Sequence, residues 1–261
     1  MAKDDAIIWP VDGNIIRPAI DYLRPLHKIF QKSGAKLFDR AEKSPAESDL
    51  FDLEFYSAQV GTEFQSRTQA LTHFLDGAAP HTVPHPVLDP GFVAAQLGVG
   101  SLSAQAAWRA VIDSARAPYI SPHRLFEPEL YLRNLPSAAR KLAERAGNPV
   151  LHFLNRWHEH RTPFSRYFDP AFYFANTPGV AVRKTNPLDH YVRQAPESLA
   201  DANPLFHAGY YRKTYGRTGA DMLADFLAVG HARLYLPNPW ALQELQEKPL
   251  TPKALLSYIE L

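Results

Sequence analysis

The chain has no cysteine. That removes disulfides, thiolate nucleophiles and cysteine-ligated zinc from consideration. It also has no surplus of either charge: 28 Lys and Arg stand against 27 Asp and Glu, a formal charge of +1. No global field therefore draws it to nucleic acid, and no basic run carries the interleaved aromatics of a single-strand binder. Long apolar runs are missing as well. None approaches the roughly 20 residues of a membrane-spanning helix. The opening Met1-Ala2-Lys3-Asp4-Asp5, soon followed by Pro10, Asp12 and Asn14, holds no apolar core of about 7–15 residues such as a cleavable signal needs. Cytoplasmic is the expected location. Glycine-rich phosphate loops, Gly-x-Ser-x-Gly elbows and His-Glu-x-x-His strings are absent, so no cofactor is expected. Alternating Val/Ile/Thr runs with hairpin turns are absent too, which leaves strands unsupported.

What the chain does contain is repetition. Phe126-Glu127-Pro128-Glu129-Leu130-Tyr131 returns as Phe168-Asp169-Pro170-Ala171-Phe172-Tyr173, with weaker copies opening at Phe51, Leu88 and Phe206. The starts lie 37, 38, 42 and 38 residues apart, a period that signals a repeat array. A second block keeps step with the first. It reads Asn148-Pro149-Val150-Leu151-His152-Phe153 and Asn186-Pro187-Leu188-Asp189-His190-Tyr191, with looser forms at Gln69, Ala106 and Asp221 and a shortened sixth copy ending in Leu255-Leu256-Ser257-Tyr258-Ile259.

Both blocks read as short helices. Asp52, Asp89, Glu127 and Asp169 stand at the N-cap, where a carboxylate accepts hydrogen bonds from free backbone N–H groups, Glu less well than Asp. Proline at the next position in three of them suits the first helical turn. Pro136 and Pro178 end the first helices of their copies. Leu188, Tyr191 and Val192 then fall at helical spacing on one face. The expected fold is all-α: an array of five to six short helical hairpins over 50–261, with copies starting near 50, 88, 126, 168, 206 and 239. Residues 1–49 precede it. Ile16, Ile20, Leu23 and Phe30 share one helical face there, which suits an N-terminal cap over the open end of an array, or an arm that meets a partner or a membrane surface.

The strings Phe168-Asp169-Pro170-Ala171-Phe172-Tyr173, Asn186-Pro187-Leu188-Asp189-His190-Tyr191-Val192 and Pro237-Asn238-Pro239 resemble a bacterial repeat of the form FDPxYYLxxNPDV…NPLxHYLxxGxxEGRxPNP. Such repeats are similar to segments found beside glycosyltransferase domains in surface-polysaccharide assembly proteins, and to segments of some large secreted calcium-repeat proteins. The second copy departs from the pattern, with Trp108 and Ala110 in place of leucine and histidine, and the Gly-x-x-Glu-Gly-Arg element survives only as fragments. The resemblance implies a non-catalytic helical module without a glycosyltransferase domain of its own. Glycosyltransferases or export components are the implied protein partners.

Candidate chemistry is weighed against that frame. His73, His152 and His190 occupy one position in successive copies, as packing or a recurring hydrogen bond requires and catalysis does not. His158-Glu159-His160 places its two histidines on different helical faces, a poor metal geometry. His81 and His85 have no acidic third ligand nearby, so no metal is expected. A hydrolytic reading needs Asp189, Glu197, Asp201 or Asp225 to pair across a cleft. The remaining candidates are aromatics beyond what the helix caps require, Trp157, Tyr167, Tyr210, Tyr211, Tyr215, Tyr235 and Trp240, which either pack between helices or line a groove. Rigid amphipathic rings of this kind anchor partners or stack on sugars. A non-enzymatic scaffold or adaptor follows as the expected function, with a glycan-binding accessory protein as the alternative.

Overall fold

The computed structural model describes residues 50–77, 82–177, 185–194, 198–219 and 221–261. The cap or arm expected over 1–49 lies outside them, as do His81, Pro178 and Glu197. The fold is all-α: among the described residues every regular element is helical. In chain order the helices are α1 (Leu53–Val60), α2 (Arg67–Leu75), α3 (Pro90–Gln96), α4 (Ala104–Asp113), α5 (Pro128–Asn134), α6 (Ser137–Arg145) and α7 (Pro149–His160). They continue as α8 (Pro170–Ala175), α9 (Pro187–Arg193), α10 (Ala208–Tyr215), α11 (Met222–Asp225), α12 (Ala241–Glu244) and α13 (Pro252–Ile259).

The caps act as their chemistry requires. Asp52 accepts from the Phe55 N–H, Asp89 from Phe92, and Asp169 from both Ala171 and Phe172. Glu127 makes no such bond. Its longer side chain turns to Arg166 instead, accepting the backbone N–H at 2.7 Å and Nε at 2.9 Å. Asn148 and Asn186 cap α7 and α9, each followed by proline. Two elements depart from expectation. Helix α6 occupies the longer third interval, begun by Pro136 and anchored by buried Ala139 and Ala143. After α11 the chain widens into a π-helical turn, Phe226–Gly230. Glycine is needed at 230, because a Cβ there would run into the hydroxyl of Tyr211.

The core is an aromatic column. Phe51, Phe126, Phe168 and Phe206 are buried in front of their helices, and Tyr56, Tyr131, Tyr173 and Tyr211 one turn inside. Each set meets an aromatic from a later helical segment: Phe74, Phe153, Tyr191 and Phe226 lie at 5.4–5.8 Å from the tyrosine ring, all close to edge-on. Such geometry suits the ring quadrupoles. The tyrosine hydroxyls are matched as well. Tyr56 bonds His73, Tyr131 bonds His152 and Tyr173 bonds His190 at Nδ1, over 2.9, 2.8 and 2.6 Å. Tyr211 donates to Asp225 at 2.8 Å. Where the tyrosine is replaced by Val93, the histidine is replaced by Ala110, so no buried polar group is left without a partner.

The same junction returns five times along the chain. The backbone N–H of Asp52, Asp89, Glu127, Asp169 and His207 donates to the carbonyl of Pro84, Pro122, Phe164, Ala202 and Pro237, at 2.8–2.9 Å. The next residue, His85, His123, Ser165, Asn203 or Asn238, is buried, and its side chain accepts the N–H two residues on. Asn203 and Asn238 also donate to the carbonyls of Tyr167 and Leu205. Side-chain amides of Gln105, Asn148 and Asn186 reach back to the carbonyls of Phe74, Val111 and Phe153.

Three junctions are also met from farther along the chain. Asp189 and Arg193 of α9 approach His85 and Asp52, Asp221 approaches His123, and the C-terminal Glu260 and Leu261 meet Arg166. Asn203→Ala removes an acceptor and a donor from a site with no exposure and leaves the Tyr167 carbonyl and Leu205 N–H unpaired. A loss of about 1–3 kcal/mol is expected, read by urea denaturation; an unchanged midpoint would show that the junction does not limit stability.

Candidate functional site

The seven aromatics singled out from sequence fall into four settings. Trp157 and Tyr211 are buried, which corrects their assignment to a groove: neither ring has a surface to offer a ligand. Trp157 donates its indole N–H to the Thr162 carbonyl at 2.7 Å and packs against Phe164 and Phe174. Tyr167 is half-buried at another place, its hydroxyl on Glu260. Tyr210, Tyr215 and Tyr235 do come together. Tyr215 and Tyr235 stack at 4.0 Å and 4°, with Tyr210 edge-on to Tyr215 at 6.3 Å. Under them Asp225 accepts the Tyr211 hydroxyl and both arms of Arg217, so the platform sits on a closed polar network. Trp240 is 45% exposed and faces the His207 ring at 6.4 Å.

A site not foreseen from sequence lies where α9 crosses the first junction. A cleft of about 480 Å³ is lined by Asp52, Glu54, Arg67, His85, Asp189 and Arg193, with Phe51, Leu53, Leu154 and Asn155. Arg193 is its hub: it bonds Asp52 through Nη2 and Asp189 through Nε and lies over the Phe55 ring at 5.8 Å. Arg67 donates to the carbonyl of Phe51. His85 Nδ1 accepts the Val87 N–H, which puts the ring proton on Nε2, facing Asp189 Oδ1 at 3.8 Å. Burial, helped by the nearby Arg193, pushes the His85 pKa from the ordinary 6.5 down to about 3. Burial raises Asp189 above the usual carboxylate range against the pull of Arg193. The second junction repeats the motif, with His123 Nδ1 accepting from Leu125 and Nε2 lying 3.3 Å from Asp221.

A smaller cleft of about 340 Å³ lies between Phe92, Tyr119, Arg124, Glu129 and Arg133. Arg124 covers the Phe92 ring at 4.7 Å. Neither cleft presents an unengaged carboxylate pair of the kind general acid–base chemistry uses. Asp52 and Asp189 are tied together by one guanidinium, Asp225 is held by Tyr211 and Arg217, and Asp201 accepts the Ala208 N–H beside His207. His158 and His160 both lie exposed on the last turn of α7. Among the described residues no cluster of three or more His, Asp and Glu is placed to hold a metal ion.

The sequence signal for the polar cleft was weak, because Asp52 and Arg193 are 141 positions apart. The one readable hint is the junction residue itself, His-x-Val/Leu in two places and Asn-Pro in two others.

His85 makes the first junction acid-sensitive. With its folded pKa below its unfolded value, the unfolded chain binds the extra proton between about pH 3 and 6.5, so stability falls as pH drops through that window. His152 and His190, also lowered by burial, act in the same direction, and the raised Asp189 opposes them. His85→Asn retains an acceptor of the kind used at Asn203 and Asn238. It should flatten the fall in thermal stability between pH 6.5 and 4; an equally steep fall in the variant would remove His85 as its source.

A scan against protein-family models, a search of curated proteins and a search of solved structures each return no match to this chain.

Proposed function

We propose that the chain is a non-catalytic helical-repeat scaffold that binds protein partners, working in bacterial cell-surface polysaccharide assembly beside glycosyltransferases or export components. It consists on this view of five hairpins and a shortened sixth, wound so that α9, Asp221 and the C-terminus lie over the first three junctions. The observation that carries the proposal is the use made of the polar side chains. The recurring histidines and carboxylates are spent on tyrosine hydroxyls, helix caps, junction backbone and one another. A body stitched in this way is stiff and presents a broad surface, as repeat arrays do for partners. The pathway rests on the resemblance of the repeat strings alone.

The exposed Trp240 indole, with the nearby His207 ring, favours a second reading, a glycan-binding accessory protein. Capture of the tagged chain from its native cells at low salt, followed by mass spectrometry, is expected to recover glycosyltransferase or export components. Recovery of the chain alone, or with bound carbohydrate, would overturn the adaptor reading. For the second reading, oligosaccharide titration should change tryptophan emission in a way that Trp240→Phe abolishes, Trp108 and Trp157 being buried. A flat response across several polymers would reject it.

A further inference from the structure

The five junctions are alike in backbone and unlike in what covers them. The first three are met by later segments: Asp52 and His85 by α9, His123 by Asp221, and Glu127 with Arg166 by the C-terminus. The fifth, His207 with Pro237–Asn238, is met by the Tyr258 hydroxyl of α13 on Asn238 Nδ2 at 3.3 Å, and no described residue plays that part for the fourth, Asp169 with Ala202–Asn203. Burial follows the same order. The side chain two places after the junction residue is fully buried in Val87 and Leu125, half-buried in Tyr167 and Leu205, and 45% exposed in Trp240.

Charge separates the junctions further. The residue just after the junction residue is arginine in the second and third, Arg124 and Arg166, and Arg166 pairs with the cap carboxylate of Glu127 at 2.8 Å. In the first, fourth and fifth it is proline, Pro86, Pro204 and Pro239, and of these three the first and fourth have a carboxylate cap, Asp52 and Asp169. A junction with proline has no cation of its own for the cap carboxylate. At the first, Asp52 receives one from the stacked helix, Arg193 of α9. At the fourth, Asp169 uses Oδ1 to cap α8, and no described cation pairs with its carboxylate.

We infer that the surface formed by Asp169, Pro204, Leu205, His207 and Trp240 docks a helix of a partner protein that presents an arginine to Asp169, seated as α9 is seated on Asp52 and His85. The inference rests on the scaffold reading and names the chemistry of its partner. The intramolecular contact of α9 with the first junction is the template, because the fourth junction repeats the same backbone hydrogen bond and buried side-chain acceptor. The occupant is an amphipathic helix with arginine one turn after a carboxylate, as in Asp189 and Arg193. A second copy of this chain fits poorly: at the matching positions α2 and its cap offer Thr72 and Asp76, which brings an acid to Asp169.

The test uses the full chain and a labelled, hydrocarbon-stapled helical peptide carrying residues 186–193, followed by fluorescence anisotropy. Saturable binding is expected, lost with the peptide's Arg193→Glu and with the protein's Asp169→Arg, and unaffected by Glu144→Arg on α6. Asp169→Asn keeps a good helix cap and should weaken binding about two- to fivefold, as expected for a solvent-accessible ion pair. Absence of saturable binding at millimolar protein, or binding indifferent to Asp169→Arg, overturns the inference. So does self-association of the chain without peptide on sedimentation, if Trp240→Glu abolishes it, since a second copy then fills the site. A cooperative thermal transition accompanying failed binding sinks this inference alone, whereas a non-cooperative one sinks the scaffold reading beneath it.

Discussion

The hydrogen bond from the backbone N–H of each of five cap residues to a carbonyl in the connecting segment farther along the chain is the constraint on which the rest depends. The helices it connects are short, six to twelve residues apart from the four-residue α11 and α12. Isolated helices of that length are marginal in water, so the connecting segments must be held as firmly as the helices. A buried connection is tolerable only if its backbone groups are paired. The junction does this in two steps: the carbonyl of Pro84 or its counterpart accepts from the cap residue, and the following side chain accepts the next free N–H.

With entry and exit of a hairpin tied, the aromatic column has little freedom left. Phe126 and Tyr131 can meet Phe153 only with α5 and α7 close, and the Tyr131–His152 bond then restricts their rotation. Substitution at one end is matched at the other. Tyrosine goes with histidine three times, with Asp225 once, and its loss to Val93 goes with Ala110. The hydroxyl is a liability in the core unless answered, since an orphaned buried donor costs about 1–3 kcal/mol.

Stacking of later segments on earlier junctions adds a second level of order, and the polar cleft belongs to it. Arg193 bridges two carboxylates across that contact while His85, kept neutral by burial, fills the space behind. Ion pairs this accessible contribute modestly to stability; their value is in setting which helix face sits on which junction. The fourth junction shows what the same surface looks like uncovered, and at the fifth, where Tyr258 reaches Asn238, Trp240 is the most exposed member of its series.

The sequence by itself determined the class of structure and its local grammar. Asp-Pro and Asn-Pro pairs announced helix starts, the spacing of Leu188, Tyr191 and Val192 announced a buried face, and the histidines at one repeated position announced packing rather than chemistry. These signals are local, so they can be read without knowing the fold. Helix α6 escaped notice because only two small residues, Ala139 and Ala143, mark its buried face. The π-helical turn escaped because its cause, Tyr211 pressed against Gly230, lies on another helix. Which aromatics are buried was equally hidden: Trp157 and Tyr211 read like Tyr210 and Trp240 until Thr162, Asp225 and the neighbouring rings are in place. The polar cleft was decided by tertiary structure alone, because the winding of the chain brings Asp52 to Arg193 across more than half its length, and no local preference encodes that winding.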